Sequence, residues 1–197
     1  MARVNKKYRE DAKERIIAAA IDVVVERGWN AMTLDTIAQN IGVTTPALYS
    51  YFRNRDALQD EVIIKVLQYN QADLVAILAD DRDIRQIIQD YADRLFIHKA
   101  RYANILSDLP PKSLYDPKQR ERIALFFINY SGIIRDCLVR AQSRGEIPQR
   151  VNLDNAARTI IVITIGLQIS SVFIGNVDMT REKELWVEAV ERILLLG

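Results

Sequence analysis

Residues 34–52, LDTIAQNIGVTTPALYSYF, constrain this chain more than any other segment. Counted from Leu34, Ala38 is fifth, Gly42 ninth and Leu48 fifteenth, with Ile37, Ile41 and Val43 filling apolar places between them. Two helices that cross steeply over a short turn need a small side chain where they touch, and a residue that tolerates positive φ in the turn. They also need branched apolar residues facing a supporting helix. Thr33 stands where a hydroxyl can accept from the first amides of one helix and Thr44 where it can do so for the next. Pro46 falls early enough to cost no internal hydrogen bond. A plain helical hairpin shares single features of this set but not the whole set in register. The segment is therefore expected to be a helix-turn-helix whose second helix enters the major groove of DNA.

Apolar residues recur at helical spacing along nearly the whole chain, and no alternating run bounded by turn signals reads as a strand, so the fold class is all-α. Residues 9–27 form one helix with the stripe Ala12, Ile16, Ala19, Ala20, Val23 and Val24, stopped at Gly28. Short helices follow at 34–41 and 45–51. Asn54 caps a longer one that runs to about Leu78. Further helices are expected at 84–100, 117–143 (stopped by Gly145), 153–173 (capped by Asn152) and 181–196 (capped by Thr180). The segment 112–116, after Pro110-Pro111, is a loop.

The net charge is only +1, from 27 Lys+Arg against 26 Asp+Glu, so any nucleic-acid surface must be local. A basic excess does occur in the first fifteen residues, with Arg3, Lys6, Lys7, Arg9, Lys13 and Arg15 against three acids. One cysteine, Cys137, excludes an intramolecular disulfide and fits a reducing cytoplasm. The basic start leads into an amphipathic stretch and not an apolar leader. The apolar run 159–177 is interrupted by Thr164, Gln168, Ser170, Ser171 and two glycines. Neither a signal peptide nor a membrane helix is expected.

Gly28-Trp29, Thr33, Ile37-Ala38, Gly42-Val43, Leu48-Tyr49, Tyr51-Phe52 and Asn54-Arg55-Asp56-Ala57-Leu58 together resemble the amino-terminal signature of the tetracycline-repressor (TetR) family. The resemblance covers about residues 9–58. It implies a three-helix DNA-binding domain (1–54), a linking fourth helix, and a helical ligand-binding and dimerisation domain (55–197), about nine helices in all. It further implies a homodimer on a double-stranded, near-palindromic operator, repression released by a small-molecule effector, and a cytoplasmic location. The DNA-facing residues expected are Thr33, Thr44, Thr45, Pro46, Ala47, Tyr49, Ser50, Tyr51 and Arg55. The hydroxyls suit base edges or phosphates, Pro46 and Ala47 a thymine methyl, and Arg55 a phosphate. Many relatives carry Lys or Arg in the recognition helix. This chain has none, so the bidentate arginine contact to guanine is missing there.

In the carboxy-terminal part, a stripe of Trp186, Ala189, Val190 and Ile193 follows a helix that is apolar on most of its circumference. Pairing with a second copy through these residues and Ile163 and Leu167 would bury what one face cannot. Polar or aromatic groups on otherwise apolar faces, namely Tyr69, Phe96, Tyr102, Phe126, Tyr130, Thr164 and Gln168, are the candidate effector contacts. His98 is the only histidine and is read as a surface residue. No phosphate-cradling glycine loop, nucleophile motif or CxxC pair is present, so neither an enzyme nor a metal or cofactor site is expected. The rival reading keeps the DNA-binding domain but has no small-molecule switch. Such a protein acts architecturally or through a protein partner, and its carboxy-terminal core is filled.

Overall fold

In a computed structural model, residues 2–98, 105, 115–174 and 177–197 are described. They contain eight α-helices and no strand. These are α1 (Ala2–Arg27), α2 (Leu34–Ile41), α3 (Thr45–Tyr49), α4 (Arg55–Leu78), α5 (Ile84–Ala92), α6 (Pro117–Ser143), α7 (Leu153–Ile174) and α8 (Met179–Leu194). A 3₁₀ turn, Trp29–Ala31, precedes α2, and one π-helical turn, Asp93–His98, extends α5.

Local chemistry explains most boundaries. Thr33 accepts from the Thr36 amide at 3.1 Å, Asn54 from the Ala57 amide at 2.9 Å and Asn152 from the Asn155 amide at 3.0 Å. Each satisfies an amide left over at a helix start. Gly42 ends α2 with φ 70° and ψ 37°, a left-handed conformation that costs a side-chain-bearing residue energy.

Four boundaries differ from the sequence expectation. Helix α1 begins at Ala2, because residues 2–27 contain neither glycine nor proline to stop it. Thr44 occupies its N-cap position but makes no side-chain cap bond. Helix α3 is only five residues long, since Ser50 and Tyr51 turn back in 3₁₀ fashion onto the carbonyls of Ala47 and Leu48 at 3.2 and 2.9 Å. Asp178, not Thr180, caps α8 by accepting from the Thr180 amide at 2.9 Å. The expected loop at 112–116 lies mostly outside the described residues.

Two hydrophobic clusters form, and they divide inside α4. Ile16, Ile17, Ala20, Val23 and Val24 of α1 pack with Ile37, Ala38, Leu48, Phe52 and the first half of α4, namely Leu58, Val62, Ile63, Val66 and Leu67. The second cluster takes Leu74 and Leu78 of α4 together with the apolar faces of α5 to α8. The division proposed from sequence after residue 54 thus crosses the first cluster, because helix periodicity does not say which neighbour covers a stripe.

Glycine replacements of opposite sign test this backbone. Gly42→Ala should lower stability by about 1–2 kcal/mol, the cost of a Cβ in the left-handed region. Gly132→Ala, inside α6 where an added Cβ meets nothing within 4 Å, should raise it by about 0.5–1 kcal/mol. Denaturant midpoints of the two variants give the comparison.

Candidate nucleic-acid interface

Helix α3 is anchored by one buried side chain, Leu48, which is 1% exposed between α1 and α2. With Leu48 inward, the outward positions are Pro46, Ala47, Tyr49 and Ser50, all exposed, with Thr45 half-buried beside them and Thr44 exposed just before them. Tyr49 is 56% exposed, a large aromatic ring left in solvent next to hydroxyls. Such a face suits a base edge or phosphate better than a core.

The supporting contacts hold this face still. Thr45 donates its hydroxyl to Asp35 Oδ1 at 2.7 Å, tying the first turn of α3 to the first turn of α2. Ser50 donates to the Ala47 carbonyl at 2.6 Å. Arg9 of α1 donates to the Ser50 carbonyl at 3.0 Å, and its guanidinium lies 5.9 Å from the centre of the Tyr51 ring. Two ion pairs, Lys13–Glu61 at 2.6 Å and Lys65–Glu14 at 2.5 Å, join α1 to α4 on the surface.

Of the residues picked out in the sequence, Thr33 is exposed at the start of α2, with its hydroxyl 2.9 Å from that of Thr36. Tyr51 is half-buried under Arg9. Arg55 is placed differently from expectation. Its Nε donates to the Met32 carbonyl at 2.8 Å and a terminal nitrogen to the Trp29 carbonyl at 2.6 Å, clamping the start of α4 to the turn before α2. It therefore positions the helix-turn-helix. Its carbonyl partners lie 23 and 26 residues away, so no local pattern reveals them. Asp35 and Arg9 were missed for the same reason, since each acts on α3 from another helix.

The expected effector contacts do not converge. Tyr69 is 47% exposed, with Lys65 Nζ 5.3 Å from its ring centre. Phe126 packs in the amino-terminal cluster and Phe96 in the other, tilted against Trp186 at 6.2 Å. Thr164 is satisfied, donating to the Ile160 carbonyl and accepting from Trp186 Nε1, both at 2.7 Å. Gln168 is half-buried on α7, and Tyr102 lies outside the described residues. The carboxy-terminal cluster does contain a small apolar cavity of about 30 Å³, bounded in part by Leu78, Ile88, Tyr91, Cys137 and Trp186. None of the expected contacts among the described residues lines it.

The Tyr91 hydroxyl meets that of Tyr130, linking α5 to α6. Burial raises both phenols, Tyr91 well above the ordinary range and Tyr130 to about 12. Cys137 is likewise pushed up by burial.

The seam residues divide as well. Trp186 and Val190 are each 1% exposed inside the protomer, so they belong to its own core and cannot meet a second copy. Ile163, Leu167 and Ile193 are partly buried against that same core, and Ala189 is half-buried. Among the described residues, the large apolar side chains left in solvent on these helices are Val162 at 60%, Ile169 at 37%, Ile174 at 75% and Leu185 at 50%. Among the described residues, no group of three or more His, Cys, Asp or Glu could hold a metal, and no helix is long and apolar enough to cross a membrane.

Two measurements check these placements. Arg55→Ala should lower stability by about 1.5–3 kcal/mol, as expected for hydrogen bonds from a charged donor. Tyr49→Phe should leave the denaturation midpoint unchanged while weakening operator binding. In an alkaline titration followed by absorbance, Tyr91 and Tyr130 should ionise only above the ordinary tyrosine range, Tyr130 at about pH 12. Because the native pKa of Tyr130 exceeds its unfolded value, its contribution to stability is complete below about pH 10. It is lost as the pH rises toward about 12.

Comparison with known proteins agrees with this geometry. Residues 16–62 match the family described as bacterial regulatory proteins, tetR family. The chain is 30% identical over 191 residues to the HTH-type transcriptional regulator SrpR of Pseudomonas putida, covering 89% of this chain and 80% of that protein. It is 24% identical to the nicotine-responsive transcriptional repressor HdnoR of Paenarthrobacter nicotinovorans, covering 93% and 94%. Among solved structures, a transcriptional regulator from Saccharomonospora viridis in complex with choline superposes with a TM-score of 0.79 at 16% identity, covering 92% of this chain and 96% of that one. The match across the helix-turn-helix and the near full-length similarity to SrpR place this chain in the TetR family of DNA-binding transcriptional regulators.

Proposed function

We propose that this protein is a homodimeric cytoplasmic repressor that holds a near-palindromic operator and releases it when a small, largely apolar effector enters the carboxy-terminal domain. The exposed α3 face, held by buried Leu48 and flanked by Thr33 and Tyr49, carries the DNA-binding half of this reading. Two such faces must reach successive major grooves roughly 34–36 Å apart, which calls for a two-fold dimer. Val162, Ile169 and Leu185 on α7 and α8 supply the uncovered apolar surface for it. Repression and effector release are carried over from the named relatives, of which HdnoR is described as nicotine-responsive.

One observation favours the second reading, a regulator with no small-molecule switch. Among the described residues, the carboxy-terminal cavity of about 30 Å³ is far below the roughly 300–1,000 Å³ of a pocket for a drug-sized ligand. An effector of that size must open the domain further before it can bind.

Titration against the upstream intergenic DNA and a scrambled duplex, at two salt concentrations, tests the operator. Selective binding that weakens steeply with salt is expected, and equal binding to both duplexes would count against it. Leu185→Glu should convert the dimer to monomer in sedimentation and abolish operator binding. A dimer that survives this change would move the interface elsewhere. A library of small apolar compounds that never displaces the operator would leave the second reading.

A further inference from the structure

We propose that Asp35 fixes the hydrogen-bonding sense of Thr45, so that α3 selects adenine or cytosine at one position of each half-site and refuses guanine and thymine there. The proposal rests on the reading of α3 as the helix that enters the major groove, and it adds the base chemistry that helix demands.

A threonine hydroxyl has one proton, and an ionised carboxylate can only accept. The 2.7 Å contact from Thr45 Oγ1 to Asp35 Oδ1 therefore has a fixed direction, unlike the Thr33–Thr36 contact, where either hydroxyl can donate. With its proton committed, Thr45 Oγ1 offers only lone pairs to the groove, as does the carboxylate beside it. Asp35 is itself exposed, in the first turn of α2, where the helix dipole favours a negative side chain. Ser50 is arranged the same way, its proton given to the Ala47 carbonyl at 2.6 Å. No Lys or Arg occurs in residues 34–52 to offset these acceptors.

In the major groove, cytosine presents the N4 amino donor and adenine the N6 amino donor. Guanine presents N7 and O6, and thymine presents O4, all acceptors. An acceptor facing O6 or O4 sets lone pair against lone pair, whereas an amino group completes a hydrogen bond. Adenine and cytosine share only that group, so the pair reads the amino group and not the base identity.

Enrichment of wild-type, T45S, T45V and D35N chains on a duplex library with randomised half-sites, followed by sequencing, tests the assignment. Circular dichroism confirms that each chain is folded. Wild-type and T45S should enrich adenine or cytosine over guanine or thymine by about fivefold or more at one symmetry-related position, the low end for a direct base contact. T45V, nearly isosteric but without the acceptor, should lose that preference to within about twofold. In D35N the amide can donate to Thr45 and release its proton, so guanine and thymine should be admitted at the same position. If T45V does not fold, D35N decides alone. A wild-type preference kept unchanged by D35N and by any folded T45V overturns the assignment and leaves the operator reading intact. A folded wild-type chain that enriches no sequence overturns both.

Discussion

Everything in this molecule that relates the DNA-facing surface to the carboxy-terminal bundle depends on α4 being buried at both ends. Leu58, Val62, Ile63, Val66 and Leu67 lie in the core built with α1 to α3, and Leu74 and Leu78 lie in the core built with α5 to α8. Each such side chain contributes about 1.5–3 kcal/mol on burial, so neither half can come away without losing several of these contributions. A continuous helix of 24 residues is roughly 36 Å long and passes orientation from one end to the other with little loss. The helix-turn-helix therefore has no independent orientation. It points where α4 points.

Side contacts fix how α4 sits, and their burial decides their weight. The Trp29 indole donates to the Ile105 carbonyl at 3.1 Å in a buried setting, and the Ile105 side chain lies fully within the amino-terminal cluster. Gln119 of α6 donates to Asp60 of α4 and is 2% exposed, and its own side-chain carbonyl oxygen is buried with no partner among the described residues. Arg140 of α6 donates to the carbonyl of Leu78, the last residue of α4. The α1–α4 ion pairs, by contrast, lie at the surface and contribute about 0–1 kcal/mol each. The buried Trp29 and Gln119 contacts therefore carry more weight than those at the surface.

What could be read from the sequence was what depends on near neighbours. The caps at Thr33, Asn54 and Asn152 act within three residues, and Gly42 acts through its own φ, so the helix starts and the turn were visible from residue types alone. The outward places on α3 followed from Leu48 being inward. Contacts spanning the fold were not visible. Arg55 has the composition of a phosphate ligand, and only the path of the chain brings it under two carbonyls. Trp186 and Val190 lie on a true apolar stripe, but periodicity gives the stripe and not the surface that covers it. Thr164 looked like a ligand group because it is polar on an apolar face, and its partner proved to be the Trp186 indole.

The effector is the least legible feature because its site must be made as well as filled. Coupling of 1–3 kcal/mol between effector and operator is enough for regulation, and only the difference in affinity for two conformers supplies it. On the proposed reading, such a difference starts at the cavity in the carboxy-terminal cluster. Tyr91 borders the cavity and bonds Tyr130, and the next residues form the π-helical turn that carries Leu95 and Phe96 into the core. Ile105, fourteen residues after Tyr91, sits in the core of the DNA-binding helices. A π turn is a rare form of helix that recurs at functional sites. On the proposed reading, a molecule that parts Tyr91 from Trp186, whose rings meet edge-on at 5.7 Å, disturbs the cluster that also holds Leu74 and Leu78 at the end of α4. A tilt of about ten degrees along a helix roughly 36 Å long displaces its far end by roughly 6 Å. That displacement exceeds the tolerance of a hydrogen bond to a base edge.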